Sequence, residues 1–450
     1  MGATDVGTNR EAIAKVVEWI DATSDELIAF VQAYVRHPSV NPGRAMPGDP
    51  TGTKACQEWL RAQLVDFGDF DSVDMWDGAP DEPNVVAVVR GAGKDGRSLM
   101  FNGHTDTVGV GPEQRAQWLD GDPWSARIVD GKLYGRGSTD MKAGNAAFLW
   151  AARAVRALGL RPRADVQLSM TIGEETGEPE LGPFSVLDRG YGADLLVNAE
   201  GTGLQVCPAA IGFFFFKVSI EGKSLHPAGR HRSIYPQRRD SPFPPGVDAV
   251  EKTRKLMDAL TRLEQDWALY QQHPLMEPGN MNLCLVSIQG GGYRGAMPER
   301  CEVVYAVVYN PSLTGDQVMT EIRQAIDGVV RSDTWLRTHP PEIAYPVLHQ
   351  VLEPVNLPVD HPGTRALAAA FGAALGREPE LGCITSPGDA NLFASRGQPT
   401  IILGPGDFTC GVHGTNEFVP VQQVIDAAKV YAAMIVAWCG VVDTTTAGGH

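Results

Sequence analysis

Apolar side chains recur at intervals of three and four residues in several long segments of the chain. This spacing places them on one face of an α-helix. In residues 10–36 the pattern predicts one or two helices. The same spacing predicts further helices at 51–67, 143–158, 247–267, 315–331, 363–376 and 421–438.

Short apolar runs between these helices predict β-strands. Those in the first and last parts of the chain are 84–90, 98–101, 166–172, 194–198 and 400–403. Strands that alternate with helices favour parallel pairing, because each helix carries the chain back to the start of the next strand. We therefore predict an α/β fold with a mixed, mostly parallel sheet and helices on both faces.

The middle of the chain follows a different order. Strands at 213–220, 281–289, 301–309 and 341–349 combine with two of the helices in a β-α-β-β-α-β sequence, the split βαβ motif of ferredoxin-like α+β domains. A long loop rich in Arg, Pro and Ser, residues 229–246, lies within it. We predict a domain of residues 211–351 inserted into a larger domain formed by 1–210 and 352–450.

Composition narrows the class of protein. The 450 residues are 43% apolar and 20% charged, as in globular proteins, and the formal net charge of −16 disfavours nucleic acid and anionic membranes as partners. The seven cysteines form no Cys-x-x-Cys pair, which favours free thiols in a reducing compartment. No secretory signal or membrane-spanning run is apparent, so we expect a cytoplasmic protein without membrane or nucleic-acid partners.

His104 and Asp106 follow an apolar run that is typical of a buried strand. In an open α/β sheet, ligands bind at the carboxyl ends of the strands. An imidazole there can bind a metal through one nitrogen while its other N–H requires an orienting partner. Asp106 could be that partner or a second ligand.

Further acidic and histidine residues occupy equivalent positions. They are Asp140 before a helix, Glu174 and Glu175 after the strand at 166–172, Glu200 after the next strand, and His413 in a glycine-flanked loop. Taken singly, each is more often structural. Together they suit divalent ions bound by nitrogen and oxygen, zinc first and cobalt or manganese next. Five ligands that share one carboxylate could hold two metals about 3.5–4 Å apart.

The order and spacing of these motifs resemble the co-catalytic zinc aminoacylase and carboxypeptidase family, which includes acetylornithine deacetylase, succinyl-diaminopimelate desuccinylase and carboxypeptidase G. The likeness extends from about residue 25 to 438 and includes the inserted domain. The motifs that carry it are Gly103-His-Thr-Asp106, Gly135-Arg-Gly-Ser-Thr-Asp-Met-Lys142, Glu174-Glu175, Glu200 and His413.

The resemblance implies a ligand set for two Zn²⁺ ions per subunit. Asp140 would bridge the metals, and the peptide bond after it would be cis. His104 and Glu200 would complete the site of one metal, and Glu175 and His413 that of the other. The expected activity is hydrolysis of an amide-type C–N bond, in an N-acyl amino acid or a small peptide.

The same resemblance implies roles around the metals. Asp106 would orient His104, and Glu174 would act first as general base and then as general acid. His226 would be a histidine of the lid domain that reaches the partner subunit's active site and stabilises the oxyanion. The resemblance thus also implies a homodimer formed through the lid domain, residues 211–351.

Substrate recognition is where this chain departs from the family pattern. Many members that release amino acids carry an arginine on the last lid strand, but here the stretch is Ala306-Val-Val-Tyr-Asn-Pro311. Asn282 and Arg294 are the candidate substrate-binding residues. Two alternatives therefore remain: an aminohydrolase acting on an amine-bearing ring, and a catalytically silent binding protein.

Overall fold

The computed structural model describes residues 3–50, 52–93, 95–230 and 246–444. Most of the predicted loop at 229–246 lies outside this part of the chain. The chain divides into two compact units. The large unit comprises Met1–Ala209, Val355–Ile384 and Gly388–His450, and the small unit comprises Ala210–Pro354 and Thr385–Pro387.

The helices follow the predicted periodicity, with residues 10–36 divided between two of them. In chain order the helices are α1 (Ala3–Ala22), α2 (Ser24–Val35), α3 (Lys54–Phe67), α4 (Pro112–Arg115), α5 (Ala143–Ala157), α6 (Pro183–Asp188), α7 (Ala249–Tyr270), α8 (Gly315–Ser332), α9 (Pro362–Leu375), α10 (Asp389–Ser395) and α11 (Val421–Met434).

The strands are more numerous than the apolar runs suggested, because several short ones carry polar residues. They are β1 (Ser72–Ala79), β2 (Glu82–Val89), β3 (Leu99–His104), β4 (Arg127–Val129), β5 (Lys132–Tyr134), β6 (Leu160–Pro162), β7 (Val166–Thr171), β8 (Leu195–Asn198), β9 (Val206–Ala210), β10 (Gly212–Glu221), β11 (Asn282–Gly290), β12 (Arg300–Tyr309), β13 (Glu342–Ala344), β14 (Val355–Asn356), β15 (Leu381–Ile384), β16 (Thr400–Ile402), β17 (Phe418–Pro420) and β18 (Val441–Asp443).

The main sheet of the large unit is mixed, with a parallel centre. Its order is β1-β2-β7-β3-β8-β16-β9-β14, and β15 pairs with β9. Strands β7, β3, β8 and β16 are parallel to one another, whereas β2 and β9 join this group in antiparallel pairing. The predicted α/β class with a mixed, largely parallel sheet is confirmed.

Both faces of this sheet are covered, as alternate residues of β3 illustrate. Leu99 and Phe101 face the larger hydrophobic core, whereas Met100 packs into a second cluster with Val186 of α6 and Phe393 of α10. All three β3 side chains are fully buried. Burial of a large apolar side chain contributes about 1.5–3 kcal/mol, so both layers stabilise the sheet.

The sheet brings the candidate site residues to one edge. His104 is the last residue of β3 and lies opposite Thr171, the last residue of β7. Glu175 follows β7, and Glu200 follows β8, which pairs with the other side of β3. Three neighbouring parallel strands therefore deliver these side chains to the edge where α/β sheets bind ligands.

The small unit has the predicted β-α-β-β-α-β order. Its antiparallel sheet, in the order β11-β12-β10-β13, carries α7 and α8 in the connections. A capping box formed by Thr314 and Gln317 starts α8. The strand predicted at 341–349 is shorter, since β13 ends before Pro346, whose nitrogen has no hydrogen to donate to a ladder.

No helix in the described part of the chain combines the length and the apolar character needed to cross a membrane.

Candidate metal centre

His104 is fully buried at the end of β3 and faces three carboxylates. Its Nε2 atom lies 2.9 Å from Oδ1 of Asp140, 3.3 Å from Oε1 of Glu200 and 3.8 Å from Oε2 of Glu174. These side chains come from the ends of β3, β7 and β8 and from the turn before α5. One nitrogen therefore lies at the meeting point of residues that are far apart in the sequence.

Asp140 lies between two imidazoles. Its Oδ1 atom faces His104, and its Oδ2 atom lies 3.1 Å from Nε2 of His413. The same His413 nitrogen lies 3.1 Å from Oε2 of Glu175. The Asp140–Met141 peptide bond is cis, as expected from the family resemblance. The two oxygens of Asp140 are thus directed to two adjacent groups of ligand atoms.

Asp106 contacts His104 differently from the expectation. The Nδ1 atom of His104 lies 2.8 Å from the main-chain carbonyl oxygen of Asp106 and 3.7 Å from its Oδ1 carboxylate atom. The other carboxylate oxygen accepts hydrogen bonds from Asn41 Nδ2 at 2.9 Å and from the Glu175 backbone N–H at 3.3 Å. The close orienting contact is therefore made by the carbonyl, while the carboxylate supports the Glu175 turn.

The electrostatics of the cluster are those of buried acids near two histidines. Burial raises the pKa of Glu174 and of Glu200, and it raises the pKa of Glu175 to about 7. Hydrogen bonds to Asp140 and Glu175 raise the pKa of His413 to about 10. Negative charge is thus concentrated where water is largely excluded, a costly arrangement unless cations compensate it.

The donor set fits divalent cations. Imidazole nitrogen and carboxylate oxygen are ligands typical of zinc. One atom each from His104, Asp140 and Glu175 lies within 4.8 Å of the others. The two oxygens of Asp140 face two different histidines, His104 and His413, as a carboxylate shared by two metals would.

Glu417 and Arg136 are neighbours of this site to which the sequence analysis gave no role. Both side chains are fully buried, and Oε2 of Glu417 lies 2.6 Å from Nη1 of Arg136. Glu417 also accepts hydrogen bonds from the backbone N–H groups of Gly137, Thr139 and Asp140. The available signal was two charged residues inside the glycine-rich motifs that contain Asp140 and His413.

Asp389 is a second buried acid near the cluster. Its Oδ2 atom accepts a hydrogen bond from Thr171 Oγ1 at 2.8 Å, and burial raises its pKa to about 7. The preceding Gly388 lies so close to Glu174 that an added Cβ would be 3.0 Å from Oε1 of that glutamate. The α10 N-terminus thus forms one wall around Glu174.

Three other predicted residues belong to the small unit. His226 is exposed, and its Nδ1 accepts a hydrogen bond from the backbone N–H of Ala228 at 3.2 Å. Asn282 is half-buried and donates from Nδ2 to the carbonyl of Asn280 at 3.0 Å. Arg294 is exposed in the turn between β11 and β12. Their predicted roles stay predictions.

An aspartate between two histidines, with glutamates from neighbouring strand ends of an α/β sheet beside them, is typical of binuclear metal hydrolases. Residues 100–437 match the model of Peptidase family M20/M25/M40, and the chain belongs to this family. It is a metal-dependent hydrolase of amide-type C–N bonds.

Similar proteins cover nearly the whole chain. One is N-formyl-4-amino-5-aminomethyl-2-methylpyrimidine deformylase of Halalkalibacterium halodurans, 26% identical over 95% of this chain and 97% of its own. Another is succinyl-diaminopimelate desuccinylase of a Caulobacter species, 27% identical over 92% and 96%. The crystal structure of aminopeptidase PepT from Bacillus cereus has the same fold, with a TM-score of 0.67, 17% identity and coverage of 92% and 98%.

These relatives narrow the alternatives stated above. The family match and the enzyme names of the relatives oppose a catalytically silent protein, and they do not favour an aminohydrolase acting on a ring.

Proposed function

We propose that the chain uses two Zn²⁺ ions to hydrolyse a short N-acyl amide, with N-formyl amines as the preferred substrates. The observation that carries this proposal is the position of Asp140 between His104 and His413, 2.9 Å and 3.1 Å away, with Glu174 beside them. Co²⁺ or Mn²⁺ would serve as substitutes with the same ligand chemistry.

His104, Glu200 and Asp140 would hold one cation, and Asp140, Glu175 and His413 would hold the other. His104 is positioned for this by the carbonyl of Asp106, which accepts from Nδ1 at 2.8 Å and leaves Nε2 as the ligand atom. The Asp106 carboxylate acts one step further out, through the backbone N–H of Glu175.

Divalent cations held by these residues would lower the pKa of the attacking water and polarise the amide carbonyl. Glu174 accepts the proton of the attacking water and then donates it to the amine nitrogen as the C–N bond breaks. Burial raises the pKa of its carboxyl group, which suits a residue that must both take and return a proton. Its neighbour Glu175 cannot exchange roles, because its carboxylate faces His413.

The sequence of the small unit supports a substrate with a short acyl group that carries no carboxylate. The end of β12 and the residues after it, Ala306–Pro311, contain no arginine, so the stretch offers no guanidinium for a substrate carboxylate. Asn282 and Arg294 are the proposed substrate contacts. The deformylase relative, which is similar over almost its whole length, supports a formyl amide.

Substrate competition tests this proposal. Zinc-loaded protein is assayed against an N-formyl aminomethylpyrimidine, an N-succinyl diamino acid, an N-acetyl amino acid and a dipeptide. We expect the highest kcat/KM for the formyl amide. A higher value for the N-succinyl diamino acid, the N-acetyl amino acid or the dipeptide would contradict it.

Desuccinylation is the second candidate, because the desuccinylase relative is 27% identical over 96% of its own length. This function requires a cationic group for the succinyl carboxylate. Arg294 is the candidate for that contact. If the N-succinyl substrate is preferred, Arg294→Met should raise its KM more than that of the formyl amide.

The small unit supports a homodimer. Strand β11 is an edge strand of its sheet, and Leu285, Val286 and Ile288 on it are 37–51% exposed. An exposed apolar edge strand is a surface that pairs with another chain. We propose that two copies associate through this unit, with β11 at the interface.

His226 would then act in the partner subunit's active site. Because its Nδ1 accepts from Ala228, the neutral ring carries its proton on Nε2 and offers that N–H to an oxyanion. Mixing a His226→Ala chain with a Glu174→Gln chain should restore activity that neither has alone. Mixed dimers without any recovered activity would contradict the shared site.

We also propose a cytoplasmic location. All seven cysteines are free, which suits a reducing compartment. Fractionation of cells that express the tagged chain would test this.

A further inference from the structure

We infer that the buried pair Arg136–Glu417 is a positioning device that holds two metal-ligand loops together and is required for one of the two cations. This inference rests on the ligand set proposed above. It concerns Arg136 and Glu417, which do not bind the metal themselves. They act through Asp140 and His413.

Glu417 uses both carboxylate oxygens on the loop that carries Asp140. Oε1 accepts the backbone N–H groups of Thr139 at 3.0 Å and Asp140 at 3.2 Å. Oε2 accepts the N–H of Gly137 at 3.1 Å and faces Nη1 of Arg136 at 2.6 Å. The backbone on the N-terminal side of the bridging aspartate is therefore bound to one side chain.

Arg136 connects the same pair to the loop of His413. Its Nη2 atom donates to the carbonyl oxygen of Gly414, the residue after His413, at 3.0 Å. A second connection runs beside it, from Thr139 Oγ1 to the carbonyl of Phe418 at 2.6 Å. The loops are far apart in sequence, and these side chains join them.

A purely stabilising role does not explain this pair. The two side chains are 1% and 0% exposed, and removing two charges from water costs free energy that their attraction only partly offsets. Apolar residues of the same volume would fill the space as well. What they could not provide is a set of directed hydrogen bonds to the main chain on both sides of the site.

The two cations depend on this pair unequally. His104 is the last residue of a strand, and Glu200 closely follows another, so the main sheet positions both. The second cation takes both Asp140 and His413 from the loops that the pair connects. When the pair is disrupted, we therefore expect the affinity for the second cation to fall first.

Metal stoichiometry tests this inference. Wild-type chain and Glu417→Gln are loaded with Zn²⁺, dialysed, and their metal content is measured. A glutamine has one carbonyl oxygen and cannot accept all four hydrogen bonds. We expect the bound zinc to fall from two per chain to one, with about a 10- to 100-fold loss of affinity for the second ion.

Asp333→Asn is the matched control. Asp333 is also a buried carboxylate, 3% exposed, which accepts backbone N–H groups from Trp335 and Leu336 and pairs with Lys252. It lies in the small unit and contacts none of the proposed ligands. We expect this variant to retain two zinc ions, so that a loss in Glu417→Gln reports on the loops and not on general destabilisation.

If Glu417→Gln alone does not fold because Arg136 is left without its partner, the double variant Arg136→Met, Glu417→Gln removes both charges and the same connections. The Co²⁺-loaded proteins give a second readout, since the visible spectrum of Co²⁺ changes with its ligand geometry. Two ions of unchanged affinity in the variants would overturn the inference alone. Fewer than two in the wild-type chain would overturn the proposed ligand set and the inference with it.

Discussion

The two units of this chain bury carboxylates in opposite ways. In the small unit, Asp333 lies 2.8 Å from Nζ of Lys252 and 2.7 Å from Nζ of Lys255. Burial alone would raise the pKa of Asp333, but the hydrogen bonds from the two lysines hold it below its usual range. The chain itself supplies the compensating cations.

In the large unit, burial likewise raises the pKa values of Glu174, Glu175 and Glu200, but within the described part of the chain no lysine or arginine forms an ion pair with them. Among the described residues, the basic side chains that pair with them are His104 and His413, and Asp140 lies between the two imidazoles. A folded chain tolerates such an excess of buried acid when the cations come from outside. The contrast separates a structural ion cluster from a metal-binding one.

The largest effect should come from a change at Glu174, the proposed general base. Glu174→Gln keeps the size of the side chain but cannot accept the proton of water, so kcat should fall by about 100- to 10,000-fold at unchanged zinc content. Glu180→Gln, the same change at an exposed position nearby, is the control. An active Glu174→Gln enzyme would remove Glu174 from the mechanism.

Metal removal should make the unfolding free energy depend on the ionisation of the acid cluster. The pKa of Glu175 is raised from 4.5 to about 7 in the folded chain without cations. A raised pKa gives stability that is present below the unfolded value and is lost as the pH rises through the folded value. The metal-free protein should therefore lose about 3 kcal/mol of unfolding free energy between pH 4.5 and 7. Zinc should abolish this slope in urea titrations, and a flat metal-free profile would contradict it.

The ion cluster of Asp333 with Lys252 and Lys255 should respond to pH in the opposite direction. Asp333→Asn should lower the unfolding free energy at pH 7 by about 1–2 kcal/mol without changing kcat. Because the pKa of Asp333 is depressed, its contribution is present above its ordinary pKa and is lost as the pH falls below it. The variant should thus be less sensitive to acid than the wild-type chain in thermal melts below pH 4.

Loss of an exposed ion pair should have the smallest effect on the unfolding free energy. Arg127 and Asp120 lie 2.6 Å apart with side chains about half exposed. Arg127→Gln should change the unfolding free energy by less than about 0.5 kcal/mol. A larger change in chemical denaturation would mean that burial is not what distinguishes the two clusters.

The sequence pattern predicted which residues meet in the acid cluster, because residues at strand ends can be recognised from the apolar runs before them. His104, Glu175 and Glu200 each closely follow an apolar run, and neighbouring strands bring such residues together. The role of Asp106 was less accessible, since a spacing of two residues from His104 suits a carbonyl and a carboxylate equally. In the structure, Nδ1 of His104 lies 2.8 Å from the carbonyl oxygen of Asp106.

Other contacts could not be predicted from local sequence patterns. The partners of Glu417 lie about 280 positions earlier in the chain, and no local periodicity connects it to Arg136. Strand β1 was not predicted, because at the edge of the sheet its side chains are mostly half-buried and include acidic residues. Such features arise from tertiary packing, which a single-sequence pattern does not contain.

The central claim is that the acid cluster of the large unit functions only with two cations in place. The most direct measurement is a titration of metal-free protein with Zn²⁺, with hydrolysis of an N-formyl amine recorded at each addition. We predict that the rate rises until two equivalents per chain are bound and then levels off. Full activity in protein from which all metal has been removed would contradict the account.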